Sequence, residues 1–244
     1  AQNYSPFIPP NTGEFGHFGW SGILRGAGVI FFSYIGFDAV STAAQETKNP
    51  QRDMAIGILG SLGICTALYI AFGFVLTGMV NYKDLHNDAH PVVTAIDKTP
   101  FHWLQVATTV GVICGFTTVI LVMLLGQSRV FYAMSKDGLV PAIFSAVHPR
   151  WRTPYVSNLI FMAATGLLGA FVPIEVLGHM TSIGTLLAFI IVCAGVMILR
   201  KTHPELKRGY KTPLVPFVPV GGIVVCLAMM MSLGTATWLR LIAW

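Results

Sequence analysis

Charge is what this sequence has least of. Asp, Glu, Lys and Arg together make up 10% of its 244 residues, against roughly 25% in soluble domains. Five long stretches hold none of them: Met54 to Val80, Trp103 to Ser128, Tyr155 to Ile174, Val176 to Leu199 and Pro213 to Leu239. Each reaches about the twenty residues a helix needs to cross the hydrocarbon core of a bilayer. A sixth stretch, Gly26 to Gln45, is as long and contains one carboxylate, Asp38. A soluble chain of this size would need far more charge to cover its surface, so soluble classes are excluded. The expected architecture is an all-α membrane protein, one transmembrane domain over residues 1–244. Its spans are placed at about 21–46, 54–80, 102–128, 155–173, 176–199 and 213–239, spaced by the same length requirement.

Other absences narrow the chemistry. The four cysteines, Cys65, Cys114, Cys193 and Cys226, all lie inside apolar stretches, where they offer neither a disulfide framework nor a metal site and read as inert buried thiols. No His-Glu-x-x-His pattern or cluster of metal ligands occurs, so neither a metal nor another cofactor is expected. Gly57, Gly60 and Gly63 fall within an apolar helix and follow no soluble strand, which excludes a nucleotide loop. An initiator Met and a signal peptide are also missing, and Leu239 to Trp244 reads as the start of another span. Further helices of the same protein are therefore expected on both sides.

The charge that is present is ordered. The net +5 could suggest a nucleic-acid partner, but the basic residues do not share one surface. With the amino terminus outside, eleven of them fall in the cytoplasm: Lys48, Arg52, Arg129, Lys136, Arg150, Arg152, Arg200, Lys201, Lys207, Arg208 and Lys211. Only Arg25, Lys83, Lys98 and Arg240 fall elsewhere. Retention of Lys and Arg on the cytoplasmic side is the orientation signal of membrane insertion. Trp20, Trp103, Trp151 and Trp238 sit at span ends, where an amphipathic ring favours the interface. Residues 1–20 and 81–100 become external loops, the second with a partly apolar core, Pro91 to Ile96, that predicts one or two short helices. Gly138 and Pro141 stop the third helix beyond the membrane. Gly22-x-x-x-Gly26 and Gly111-x-x-x-Gly115 permit close helix contact.

The segment Phe31-Phe32-Ser33-Tyr34-Ile35-Gly36-Phe37-Asp38 carries the functional reading. Asp38 lies eight residues before Glu46, about 12 Å along a helix, and so at depth. A carboxylate there is costly and must face water, a partner or a proton; the plainer alternative is a hydrogen bond to a neighbouring helix. Ser33 and Gly36 weaken the helix beside it, Gly by about 1 kcal/mol relative to Ala. An interruption would release backbone carbonyls at the end of the outer half-helix, and their partial negative charge suits an ammonium group. Irregular backbone at that depth is tolerated where it lines a cavity or packs in protein, and broken helices at the midplane are how many secondary transporters build substrate sites. Thr117 and Thr118 are candidates for a cation or water path, or simply bond their own helix carbonyls. His179 near an outer end reads as packed or interfacial, and Glu175 as solvated.

Ile30 through Glu46, followed by Lys48-Asn49-Pro50-Gln51-Arg52-Asp53-Met54, resembles the sixth membrane helix and following loop of the amino acid–polyamine–organocation permeases, above all the cationic amino-acid transporter branch and its bacterial relatives. Ser128 to Pro141 and His148 to Tyr155 resemble the segment after that family's eighth helix. The resemblance implies the leucine-transporter fold, with this chain supplying helices six to ten as the second inverted repeat, helix eleven and the beginning of helix twelve. It implies that the carbonyls of Phe32, Ser33 and Ile35, beside Gly36, receive a substrate ammonium, that Phe32 gates the site, and that Asp38 couples to protons. Ser33 departs from the Ala expected in close relatives, a change a backbone contact survives. The implied activity is proton-coupled amino-acid symport in the plasma membrane by alternating access. An amino-acid or polyamine exchanger is the alternative on the same fold. A membrane-embedded enzyme or structural subunit is the alternative of another class; one carboxylate and one outer His give an enzyme little to work with.

Overall fold

The computed structural model describes residues 2–11, 13–41, 47–82, 91–101, 103–206, 208 and 210–243. The expected inner end of the first span, 42–46, and the external segment 83–90 lie outside them. The described residues contain no β-strand and form eight α-helices: α1 (Gly19–Ile30), α2 (Pro50–Met79), α3 (Pro91–Asp97), α4 (Trp103–Lys136), α5 (Tyr155–Phe171), α6 (Ile174–Thr202), α7 (Phe217–Ser232) and α8 (Thr235–Ala243). Short 3-10 turns occupy Gln2–Tyr4, Phe31–Tyr34 and Ala142–Ser145.

Gly19–Ser41, α2, α4 and α6 are each long and apolar enough to cross a membrane. Helix α5, at 17 residues, is shorter. Helices α7 and α8 pass the same test only as a pair, bent by 109°. The sequence reading draws one stretch over 213–239, and the chain turns within it. Gly234 takes φ +84°, a region that an L side chain resists. The Leu233 amide closes the last turn of α7 on Met230 O at 3.2 Å, and the Thr237 amide opens α8 on Gly234 O at 3.2 Å. The Trp238 indole N–H then donates to Met230 O at 3.0 Å, tying α8 back to the end of α7.

The chain divides into two compact units. One comprises Ala1–Phe7, Asp38–Glu46 and Ile58–Leu167, the other Ile8–Phe37, Thr47–Gly57 and Leu168–Trp244. In the first, α4 is ended by a glycine C-cap: Gly138 has φ +77°, the Leu139 amide donates to Met134 O at 2.9 Å and the Gly138 amide to Ser135 O at 3.2 Å. These two bonds are the 6→1 and 5→2 pair that satisfies orphan carbonyls at a helix end. The chain then folds back along α4. Phe131, Phe144 and Phe161 join α4, the Ala142–Ser145 turn and α5 through ring centroids 4.7 to 6.0 Å apart. The Tyr4 ring stacks on Phe74 at 4.7 Å, and its hydroxyl donates to Phe74 O at 2.8 Å.

In the second unit α1, α6, α7 and α8 pack together. The core is Ile183, Leu186, Met230 and Leu233, with Phe31, Leu187 and Trp238 against it. Glu175 in the first turn of α6 and Arg200 and Lys201 in its last complement the helix dipole. Beyond that end, the Arg208 guanidinium donates to Leu199 O at 3.1 Å and His203 O at 2.7 Å, supplying donors to a helix terminus that has none of its own. Large apolar side chains elsewhere are exposed, among them Ile70, Phe116 and Leu167. An apolar surface of that extent is unsuited to water and suits a bilayer, whose acyl chains are the solvent for such faces.

Candidate functional site

Helix α1 stops well short of the expected span length. Its last residue, Ile30, is followed by a 3-10 turn over Phe31–Tyr34. Ile35 is extended at φ −61°, ψ 130°, Gly36 has φ +126°, and a second 3-10 turn begins at residue 38. The interruption expected from Ser33 and Gly36 is therefore present. Each has a visible part in it. The Ser33 hydroxyl donates to Ile30 O at 2.6 Å, a local side-chain bond that competes with helix continuation. Gly36 takes a backbone conformation that a Cβ would strain. Across the turn the Ile35 amide reaches back three residues to Phe32 O at 3.2 Å in place of the four-residue α-helical spacing.

Packing holds the interruption in place within the second unit. Gly28, two residues before α1 ends, is buried against α7: a Cβ there would meet Ser232 Oγ at 2.9 Å, Met229 O at 3.0 Å and Leu233 Cδ2 at 3.3 Å. The Ser232 hydroxyl donates to Met229 O at 2.6 Å and approaches Leu24 O at 3.3 Å. On the other side Phe189 of α6 meets Phe31 edge-on at 5.9 Å and Phe37 at 5.7 Å, so one ring supports both ends of the break. Phe32 is 46% exposed, its side chain turned away from that core.

Of the residues singled out from the sequence, Phe32, Ser33, Ile35 and Gly36 thus fall together in the interruption. Asp38 is half-buried and opens the 38–41 turn, which belongs to the first unit. Thr117 and Thr118 are exposed on α4, with hydroxyls donating to Ile113 O at 2.9 Å and Gly115 O at 2.8 Å. That is the ordinary bonding of a membrane Thr to its own helix. His179 is half-buried, its Nδ1 3.4 Å from the buried Thr237 hydroxyl. Among the described residues no group of His, Cys, Asp and Glu is arranged to hold a metal.

Two supports of the interruption escape sequence reasoning. Phe189 carries no signal beyond being apolar. Gly28 lies beside the Gly22-x-x-x-Gly26 pattern, yet it makes the close approach to α7; a Cβ on Gly26, Gly60, Gly63, Gly111 or Gly115 would meet nothing within 4 Å among the described residues.

Comparison with known proteins bears on the whole chain. Residues 2–242 match the model of the amino acid permease family. The chain is 41% identical over 242 residues to the branched-chain amino acid permease BcaP of Bacillus subtilis (strain 168), covering 99% of this chain and 50% of that protein. It is 42% identical over 243 residues to a methylthioribose transporter of the same organism, again 99% of this chain and 50% of that protein. A third relative, the vacuolar cationic amino acid transporter 4 of Arabidopsis thaliana, is 41% identical over 188 residues, 77% of this chain and 31% of that protein. The chain spans about half the length of the first two relatives or less of the third. An interrupted apolar helix, a multi-helix chain suited to a membrane and a family match from end to end agree: this chain belongs to the amino acid permease family.

Proposed function

We propose that this chain is the second half of a secondary amino-acid transporter and that the interruption between Ile30 and Asp38 forms part of its substrate site. The observation that carries the reading is the backbone itself: an apolar helix abandons α geometry over Phe31 to Gly36. The main-chain oxygens of Phe32, Ser33 and Ile35 are the groups offered to a substrate ammonium. Phe32 O accepts a 3.2 Å bond from the Ile35 amide, and a carbonyl oxygen has two lone pairs. The exposed Phe32 ring serves as the gate. In this reading the chain contributes the second inverted repeat of the leucine-transporter fold, and helices of the same protein complete the site from the other repeat.

Proton-coupled symport is the preferred mode, because Asp38 follows the break at once and an intramembrane carboxylate is a natural proton carrier. Thr117 and Thr118 are the secondary candidates for a cation or water path, though each hydroxyl is occupied by its own helix. The plasma membrane is the proposed site of action; relatives include vacuolar and chloroplastic transporters. An amino-acid or polyamine exchanger remains the second mode on the same fold.

The test is uptake of labelled amino acids into proteoliposomes containing the full-length protein. Symport predicts accumulation driven by an inward proton gradient and abolished by a protonophore. An exchanger gives uptake only into vesicles preloaded with a counter-substrate. Because one relative is named for methylthioribose, which lacks an α-amino acid ammonium, that compound belongs in the competition series. Uptake indifferent to every amino acid would overturn the proposed site chemistry.

A further inference from the structure

The turn after α4 borders a cavity that the transport reading does not use. This cavity of about 880 Å³ lies in the first unit, between the carboxyl-terminal turns of α4 and the loop that leads into α5. Arg129 and Lys136 line one wall and Arg152 the other. Arg129 and Lys136 are seven residues apart and therefore on one helix face. The Lys136 ammonium sits over the Tyr132 ring, 5.7 Å from its centroid, which holds it on that face.

Arg152 is placed with more effort. Its φ is +52°, a region that costs a non-glycine residue on the order of 1 kcal/mol. The loop holds it there. The Arg152 amide donates to His148 O at 2.9 Å and the His148 amide to Thr153 O at 2.9 Å. His148 Nδ1 accepts from the Arg150 and Trp151 amides at 3.2 and 3.4 Å, and its ring stacks on Trp151 at 4.5 Å. Thr153, Pro154 and Asn158 complete this wall at the start of α5.

Lys136 and Arg152 outnumber the acidic groups on the described lining. Asp137 is the one acidic side chain among the described lining residues, and among the described residues it makes no ion pair with Lys136 or Arg152. Depth matters too. Helix α4 is about 51 Å long for its 34 residues, at about 1.5 Å per residue, against a hydrocarbon core of about 30 Å. Its charge-free run ends at Ser128, so Arg129 stands at the hydrocarbon edge and Lys136 about 10 Å further out. The loop-charge pattern puts this end in the cytoplasm.

We propose that this cavity binds a phosphate-bearing anion at the cytoplasmic membrane surface, with an anionic phospholipid headgroup as the preferred source and soluble phosphate as the other. Basic pockets at the cytoplasmic ends of membrane helices take such headgroups, and guanidinium groups match phosphate oxygens in pairs. The site is independent of the substrate site and of the transport mode.

The experiment uses the purified full-length protein in neutral detergent. Short-chain phosphatidylglycerol, phosphatidylcholine and inorganic phosphate are titrated separately, with bound lipid counted by native mass spectrometry. The expected result is saturable phosphatidylglycerol binding that weakens with salt, at least about tenfold tighter than phosphatidylcholine, as loss of charge-assisted bonds implies. Arg152→Gly and Lys136→Gln should each lower that affinity about tenfold. Arg152→Gly is the decisive variant, since glycine accepts φ +52° without strain and the lipid-free Tm should be unchanged or higher. Displacement of phosphatidylglycerol by millimolar inorganic phosphate, lost in the same variants, assigns the site to soluble phosphate. Equal binding of the two lipids, or unaltered phosphatidylglycerol binding by a stably folded Arg152→Gly protein, overturns the proposal.

Discussion

Asp38 and Gly36 sit two residues apart and have different duties. Asp38 is half-buried at the start of a 3-10 turn. Asp38→Asn keeps its size and one acceptor oxygen while removing the titratable group. In the full-length protein this substitution should flatten the pH dependence of uptake while leaving Tm within a few degrees of wild type; a pH–uptake profile superimposable on wild type would reduce Asp38 to a packing residue. Gly36 has the backbone duty. Its φ of +126° is in a region open essentially to glycine, and forcing a side chain there costs of order 1–3 kcal/mol. Gly36→Ala should therefore lower Tm by several degrees and reduce uptake, seen in a melting curve and in proteoliposomes from the same preparation. Ser33 could be read from the sequence as a helix-weakener. The direction of its hydroxyl, onto Ile30 O, could not, because a rotamer depends on the carbonyl left open by the turn.

Helices supply the next level. The break is useful only if its two ends are held, and α1 is short, 12 residues, too few to be stable alone in water. Its support is the seam with α7, where Gly28 leaves no room for a methyl group beside Ser232 and Met229 O. Gly28→Ala should push α1 away from α7 and cost about 1–3 kcal/mol, the usual penalty for overpacking a tight contact. The readouts are a lower Tm and a raised KM for uptake; a KM and Tm both equal to wild type would show that the seam yields without consequence. At this level sequence reasoning does less well. Glycine spacing pointed to Gly22, Gly26, Gly111 and Gly115, while the tight approach is at Gly28, whose contacts come from residues about 200 positions away in the chain. The bend between α7 and α8 was likewise hidden in a charge-free run, since hydropathy registers depth and is blind to direction.

For the molecule as a whole, orientation is the open physical claim. If the loop charges set the orientation, with eleven basic residues on one side against four elsewhere, the α4–α5 and α6–α7 connections are expected in the cytoplasm and Lys98 outside. In a cysteine-free background, Lys201→Cys should react with a membrane-impermeant maleimide only after the membrane is opened, and Lys98→Cys should react in intact cells. The reverse pattern would invert the topology and move the basic cavity to the outer face. The family assignment stands apart from this, since it rests on the match of residues 2–242.

Composition and local pattern were enough to decide that this chain lives in a membrane, that its helices run through charge-free stretches, and that one helix falters near Ser33 and Gly36. Those properties depend on each residue's own transfer free energy and backbone freedom, which are local quantities. Tertiary structure alone decided that Phe189 props both ends of the break, that Gly28 seats α1 on α7, and that a strained Arg152 faces Arg129 and Lys136 across one cavity. Such pairings join residues distant in sequence, and they are selected by which surfaces fit when the helices pack.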